Sequence, residues 1–173
     1  SVGIHGDAKA AAAALIERLR GRELACVANR TERKARIEAE KAAWEQELTA
    51  WTHERDPFSL EVAQNSQHMH PRQMLRELEK AMPKHAMVST DIGNICSVSN
   101  SYLRFDEPRS MFAAMSFGNC GYAFPVACGA KIAAPDRPAI AYVGDGAWGI
   151  SLNELLTCAR EKIGVTVVVF NNA

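Results

Sequence analysis

Hydrophobic and polar positions divide the chain into two contrasting halves. The residues before Asp56 are rich in Glu, Lys and Arg, whereas only eight charged residues lie between Met111 and Ala173. Short β-branched runs that end in Gly, Asp or Asn predict buried strands, and apolar residues three and four positions apart predict helices. The second half therefore indicates the interior of an α/β sheet, and the first half indicates exposed helix.

The first 70 residues predict helices and connections. A short strand over Val2–Asp7 leads into a helix over Ala8–Arg20, with Asp7 as its N-cap and Gly21 at its end. Opposite charges four residues apart predict a solvated helix over Arg30–Trp51. Pro57 and a polar patch predict an irregular linker that ends near residue 70.

From residue 71 onward, helices and strands are predicted to alternate. An amphipathic helix over Pro71–Met82 precedes a strand over Ala86–Thr90. The later segments are a short apolar one, a helix and two strands: Met111–Met115, Tyr122–Ala133, Ala139–Val143 and Val165–Phe170. This order predicts an α/β fold with a doubly wound, mostly parallel sheet, in which ligands bind at the carboxyl ends of the strands.

Composition and charge argue against a nucleic-acid-binding or membrane protein. The formal charge is zero, which gives no basic surface for nucleic acid or for a membrane. No apolar run approaches the roughly 20 residues of a membrane helix, and Ser1 opens no signal-peptide pattern. Five cysteines without a Cys-x-x-Cys pair predict reduced, mostly buried thiols in a cytoplasmic protein: Cys26, Cys96, Cys120, Cys128 and Cys158.

Two strand ends carry the candidate chemistry. Asp145 follows one buried strand, Asn172 follows the next, and 27 positions separate them, which fits one βαβ unit. Taken singly, Gly-Asp-Gly and Asn-Asn are common loop sequences. Because parallel strands place their carboxyl ends at one edge of the sheet, the two side chains are expected to meet there. A carboxylate and an amide carbonyl are oxygen ligands that suit Mg²⁺ together with a bound phosphate.

Several segments resemble one enzyme superfamily. Asp91-Ile92-Gly93-Asn94, the stretch Gly118-Asn119-Cys120-Gly121-Tyr122-Ala123-Phe124-Pro125, and Gly144-Asp145-Gly146 with Asn171-Asn172 are similar in order and spacing to the cofactor-diphosphate domain of the thiamine diphosphate enzymes related to acetolactate synthase and pyruvate oxidase. The resemblance covers about residues 65–173. Residues 117–122 and 142–150 look most like the sulfoacetaldehyde acetyltransferases, which release sulfite and pass an acetyl group to phosphate.

The resemblance implies a role for each site residue. Asp145 and Asn172 are the side-chain ligands of Mg²⁺, and a third ligand, a backbone carbonyl, lies two residues beyond Asn172. Gly144 and Gly146 allow the tight turn, and the backbone amides of Gly146 and Ala147 face the diphosphate. The turn Gly118-Asn119-Cys120 holds the aminopyrimidine ring through the Gly118 carbonyl and the Cys120 N–H. Most relatives place a larger Met, Leu or Ile at the position of Cys120.

The resemblance also implies the domain organisation. Residues 1–22 correspond to the end of the superfamily's central domain, residues 23–64 to a helical connector, and residues 65–173 to the first part of the diphosphate-binding domain. The activating glutamate of the family lies in a separate N-terminal domain, so no catalytic side chain and no transferase activity are expected from these 173 residues alone. Family active sites lie between two subunits, which implies a homodimer or homotetramer.

Alternatives remain at the level of function and of single residues. An acetolactate-synthase-like carboligase or 2-oxo acid decarboxylase is the second candidate, with a 2-oxo acid in place of sulfoacetaldehyde. A non-catalytic cofactor-binding or regulatory module is the third. Asp91 is either a helix cap or a residue at the cofactor's edge, Trp148 is expected to pack the helix on the sheet, and Glu154 is interpreted as a structural residue in mid-helix.

Overall fold

A computed structural model describes residues 3–22, 29–53 and 70–171. The chain forms two compact units, residues 1–46 and residues 47–173. In the described part of the chain, no helix is both long and apolar enough to cross a membrane.

The first unit contains helix α1 (Ala8–Leu19) and most of helix α2 (Arg30–His53). The predicted N-cap is confirmed, because Asp7 Oδ1 accepts a hydrogen bond of 2.8 Å from Ala10 N. The predicted strand over Val2–Asp7 is wrong for its described residues, since residues 3–7 adopt no strand. A strand is stable only beside a partner, and the described residues of this unit include none.

The second unit alternates helices and strands as the sequence predicts. After the end of α2 come, in order, α3 (Pro71–Ala81), β1 (Met87–Thr90), α4 (Asn94–Tyr102), β2 (Met111–Ala113), α5 (Ala123–Ala133), β3 (Ala139–Gly144), α6 (Asp145–Ser151), α7 (Glu154–Glu161) and β4 (Thr166–Phe170). The four strands pair in parallel in the order β2-β1-β3-β4. The predicted α/β class with a parallel sheet is confirmed.

Helices cover both faces of the sheet. Along β3, Ala141 and Val143 point to one face, where they pack with Phe124 of α5 and Cys158 of α7. Ile140 and Tyr142 point to the other face, because successive side chains of a strand alternate. There they join a second core cluster with residues of α2, α3, β1 and α4: Leu48, Leu75, Val88 and Tyr102. Burial of β3 on both sides explains its continuous apolar run.

The connection between β3 and β4 contains two helices where the sequence predicts one. Helix α6 ends at Ser151, and the backbone at Leu152 and Asn153 keeps helical angles. Leu155 N and Leu156 N bond to carbonyls only three residues earlier, Leu152 O at 3.0 Å and Asn153 O at 3.2 Å. These tighter turns interrupt the α-helical ladder. Glu154 is therefore an exposed first residue of α7, and its interpretation as a mid-helix residue is wrong.

Candidate cofactor site

The carboxyl ends of all four strands lie at one edge of the sheet. Thr90 of β1 pairs with Ala113 of β2 and with Tyr142 of β3, and Gly144 of β3 pairs with Phe170 of β4. The polar residues that follow the strands are thereby brought to the same edge. Ligands of parallel α/β sheets bind in this position.

Asp145 lies where β3 turns directly into α6. Gly144 is the last residue of the strand and Asp145 the first residue of the helix, and the Asp145 side chain is half-buried. Within the described structure, no side chain caps the start of α6. A Cβ atom placed on Gly144 or Gly146 would meet no atom within 4 Å, so open space adjoins the backbone of the turn. A carboxylate beside unobstructed glycine backbone fits a metal ion and an anionic ligand.

Asn172, the second predicted ligand, lies outside the described residues. Its neighbour Asn171 is exposed directly after β4. Because Gly144 and Phe170 are partners in the sheet, the residues that follow β3 and β4 leave from the same level of the edge. The pairing of Asp145 with Asn172 stays a prediction, and this register is consistent with it.

A glycine-rich turn precedes α5 at the same edge. Gly118 (φ 73°) and Gly121 (φ 79°) both adopt left-handed backbone angles, which favour glycine. Gly118 N donates a hydrogen bond of 2.7 Å to Ala114 O, just past the end of β2. Between the glycines, Asn119 is half-buried and Cys120 is exposed. The turn thus presents the backbone of residues 118–120 at its surface.

The same turn packs against helix α6. A Cβ atom on Gly121 would lie 2.7 Å from Ile150 Cγ2, a distance that real Cβ contacts do not reach. Near the start of α5, the Phe124 ring meets the Trp148 ring edge to face, with centroids 5.1 Å apart. Trp148 therefore packs α6 as predicted. The glycine turn and the start of α5 thus pack against α6, the helix that begins at Asp145.

Asp91 acts as a helix cap from a distant strand. Its Oδ1 accepts hydrogen bonds from Tyr122 N at 2.7 Å and from Ala123 N at 3.2 Å, at the start of α5. The residue is completely buried, and its Oδ2 has no hydrogen-bond partner among the described residues. A polar residue at a strand end was the only sequence signal here, and nothing local to Asp91 indicated a partner about thirty positions away.

The titratable groups with shifted pKa values belong to the core. Burial, and then the neighbouring thiol of Cys158, raise the pKa of Cys128 to about 12; the two Sγ atoms are 3.2 Å apart. Burial also raises the pKa of Cys96 and of Tyr142, whose hydroxyl lies 2.6 Å from Ser99 Oγ. Of the four described cysteines, Cys120 alone is exposed, so the predicted mostly buried thiols are confirmed for this part of the chain.

An apolar cavity of about 240 Å³ lies between α5 and α7. Its lining includes Cys128, Ile132, Glu154 and Cys158, and none of the predicted site residues takes part. The cavity is therefore separate from the candidate site, which consists of the strand-end edge of the sheet with the turns at Asp145 and at Gly118.

Comparisons with known proteins agree with this geometry. Residues 91–173 match the family described as thiamine pyrophosphate enzyme, C-terminal TPP binding domain. The chain is 65% identical over 177 residues to the sulfoacetaldehyde acetyltransferase of Castellaniella defragrans, and 62% identical over 181 residues to that of Alcaligenes xylosoxydans xylosoxydans. Each alignment covers 99% of this chain and 30% of the relative.

Two further proteins are similar to this chain at lower sequence identity. The acetolactate synthase large subunit of Haemophilus influenzae is 28% identical over 75% of the chain and 22% of its own length. The fold is similar to that of a solved Rhodococcus jostii RHA1 thiamine diphosphate-dependent 4-hydroxybenzoylformate decarboxylase, with a TM-score of 0.58 and 24% identity over 68% of this chain and 21% of that one.

The chain spans about 30% of the length of the sulfoacetaldehyde acetyltransferases that it matches. The predicted family, its thiamine diphosphate cofactor and the fold class are confirmed. Residues 91–173 thus match the C-terminal, TPP binding domain of the thiamine pyrophosphate enzymes.

Proposed function

We propose that this chain supplies the diphosphate-binding part of a thiamine diphosphate- and Mg²⁺-dependent sulfoacetaldehyde acetyltransferase. That enzyme would convert sulfoacetaldehyde and phosphate into acetyl phosphate and sulfite. One observation carries the proposal: 62–65% identity over 99% of the chain to two proteins of this name, against 28% to an acetolactate synthase.

The residues at the strand-end edge fit the cofactor's diphosphate and metal. We assign Asp145 and Asn172 as side-chain ligands of Mg²⁺. The half-buried Asp145 carboxylate supplies the hard anionic oxygen that this ion prefers. The backbone amides of Gly146 and Ala147, in the uncapped first turn of α6, would donate to the diphosphate beside the open space at Gly144 and Gly146.

The glycine turn fits the other end of the cofactor. We assign the carbonyl of Gly118 and the N–H of Cys120 to the aminopyrimidine ring, with Asn119 between them. Both glycines of the turn adopt left-handed angles, and residues 118 and 120 are exposed to an incoming ligand. When bound, thiamine diphosphate would supply a nucleophilic thiazolium carbon for the aldehyde carbon of sulfoacetaldehyde and an electron sink, so that the C–S bond on the neighbouring carbon breaks and sulfite leaves. This chain's part is to bind and orient it.

The remaining assignments concern the whole protein. We place the end of a central domain at residues 1–22, a connector at residues 23–64 and the diphosphate-binding domain at residues 65–173. The expected assembly is a cytoplasmic homodimer or homotetramer, with active sites between subunits. Sulfoacetaldehyde and phosphate are the expected small-molecule partners. No catalytic side chain is assigned to this chain, which binds and positions the cofactor only.

A chimeric enzyme tests the proposal. Replacing the aligned 30% of the Castellaniella defragrans enzyme with this chain gives a protein of full length. We expect this chimera to produce sulfite and acetyl phosphate in equal amounts from sulfoacetaldehyde and phosphate, because the replaced segment would perform the same cofactor binding. A folded chimera that binds thiamine diphosphate but releases no sulfite would contradict the proposal.

The same design separates the alternatives. A second chimera places this chain in the Haemophilus influenzae acetolactate synthase, where 28% identity makes correct packing against the rest of the enzyme unfavourable. Acetolactate formation by the second chimera, with no sulfite from the first, would favour the carboligase. Absence of thiamine diphosphate binding in both folded chimeras would favour a module without cofactor chemistry.

A further inference from the structure

We propose that Asp91 is a positioning residue for the cofactor, because it fixes the glycine turn, residues 118–122, to the end of β1. The inference rests on the proposed function, in which that turn holds the aminopyrimidine ring. Asp91 itself is not assigned a contact with substrate or cofactor.

Asp91 contacts the last residue of the glycine turn and the first residue of α5 directly. Asp91 Oδ1 accepts from Tyr122 N at 2.7 Å and from Ala123 N at 3.2 Å. The first N–H groups of a helix have no partner within the helix, and a side chain next to the helix in sequence usually caps them. Tyr122, the N-cap residue of α5, makes no such side-chain bond. The cap is instead supplied by a carboxylate 31 positions earlier in the chain, which ties the turn to the sheet.

The glycine turn contains two residues without side chains to restrict its backbone. Glycine at left-handed angles has no Cβ to restrict it, so a turn with Gly118 and Gly121 has little local preference for one shape. External bonds must therefore define its conformation. Gly118 N is bonded to Ala114 O on the β2 side, and Tyr122 N is bonded to Asp91 on the β1 side. The peptide groups proposed to face the pyrimidine lie between these two points.

A second residue of the same strand end lies beside the turn. Ile92 Cγ1 is 3.9 Å from the position that a Cβ on Gly118 would occupy. Asp91 is thus bonded to the last residue of the turn, and Ile92 lies near its first. A shift of this strand end would move the Gly118 carbonyl and the Cys120 N–H together.

Burial of the Asp91 carboxylate costs free energy of folding. Asp91 is 0% exposed, and its Oδ2 accepts no hydrogen bond within the described part of the chain. The start of α5 compensates part of the charge through the helix dipole, but a buried oxygen without a partner still lowers stability. A site that violates a packing rule in this way is typical of a functional position.

Variants of the chimeric acetyltransferase test the inference. Asp91→Ala removes both hydrogen bonds, and Asp91→Asn keeps an acceptor at Oδ1. Ser89→Ala is the matched control, because Ser89 is also buried on β1 and its Oγ donates to Ala123 O at 2.5 Å, one residue beyond the glycine turn. Dissociation constants are measured with Mg²⁺ for thiamine diphosphate and for inorganic diphosphate, which lacks the pyrimidine ring.

We expect Asp91→Ala to weaken thiamine diphosphate binding about tenfold or more, as for other residues that orient a ligand-binding group. Inorganic diphosphate should bind as in the parent chimera, because the turn at Asp145 holds that end. Asp91→Asn should recover most of the affinity. At saturating cofactor, kcat of Asp91→Ala should stay below that of the parent, since the ring is misoriented even when it is bound.

Other outcomes have distinct meanings. Equal losses for both ligands, or losses matched by Ser89→Ala, would assign Asp91 a purely structural role and overturn the inference. Unchanged thiamine diphosphate binding in Asp91→Ala would overturn it as well. If Asp91→Ala does not fold, the same comparison of the two ligands is made with Asp91→Ser, which keeps a polar group in the buried site but is one atom too short to replace the carboxylate. A parent chimera that binds neither ligand would instead refute the proposed function.

Discussion

Cys128 and Cys158 illustrate how strongly the environment of a single residue controls its chemistry. The two Sγ atoms lie 3.2 Å apart between α5 and α7, where both residues are buried. Burial disfavours the charged thiolate, and the second thiol adds to this effect. Cys120, by contrast, is exposed in the glycine turn. Chemical reactivity is therefore expected at the proposed cofactor site rather than in the core.

Alkylation and pH should both report this difference. Iodoacetamide near neutral pH should label Cys120 before Cys128, as followed by peptide mass spectrometry. Labelling of Cys128 as fast as Cys120 would contradict the burial argument.

The pKa of Cys128 rises from 9.0 to about 12 on folding, so the folded protein favours the protonated thiol. The contribution of this protonated thiol to the free energy of unfolding is therefore complete below pH 9 and is lost as the pH rises from 9 towards 12. Denaturant unfolding at several pH values should show this loss, and Cys128→Ala should reduce it.

At the scale of elements, the glycine turn packs closely against α6. Gly121→Ala would place a Cβ 2.7 Å from Ile150 Cγ2 at a φ of 79°, so we expect a loss of about 1–3 kcal/mol in unfolding free energy. Gly129→Ala in α5 is the control, since its Cβ meets open space and alanine favours the helix by about 0.5–1 kcal/mol.

A double variant separates the two causes. Ile150→Ala removes the clashing Cγ2 atom, so Gly121→Ala with Ile150→Ala should recover most of the steric part of the loss. The backbone strain and the 3.3 Å approach of the Cβ of residue 150 would remain. Urea unfolding of the parent protein, the two single variants and the double variant measures the steric part and the strain part of the loss separately. Equal stability of Gly121→Ala and Gly129→Ala would show that the turn does not pack on α6 as described.

The elements were predictable where one strong local pattern determines them. The continuous apolar run of β3 and the charge pairs of α2 gave strands and helices close to those observed. Two failures have physical causes. A strand at residues 3–7 needs a partner that local sequence does not reveal, and the break after Ser151 depends on hydrogen bonds that shift from four-residue to three-residue spacing. Periodicity is almost the same for both kinds of turn.

The candidate site was only partly predictable for a similar reason. The Asp145 turn and the Gly118 turn were readable because their residues lie next to one another in sequence. The bond from Asp91 to Tyr122 and the close approach of Gly121 to Ile150 join residues about thirty positions apart. Such contacts depend on the packing of whole elements, which a single sequence does not display.

At the scale of the whole molecule, the sheet brings two separate turns to one edge. Residues 91–173 match a cofactor-binding family, and the chain covers 30% of the acetyltransferases that it resembles. We therefore propose that this chain binds the cofactor and the metal, and that other parts of a complete enzyme supply the rest of the catalytic machinery. Central to this proposal is that Asp145 holds thiamine diphosphate through Mg²⁺.

Calorimetric titration of thiamine diphosphate into the Castellaniella chimera tests that claim most directly. We expect binding only when Mg²⁺ is present, and we expect Asp145→Ala to weaken it by more than about 100-fold, since a direct ligand matters more than the outer partners of a metal site. Asp136→Ala, an exposed aspartate in the loop before β3, should bind as the parent chimera does. Equal binding without Mg²⁺, or binding that survives Asp145→Ala, would contradict the account.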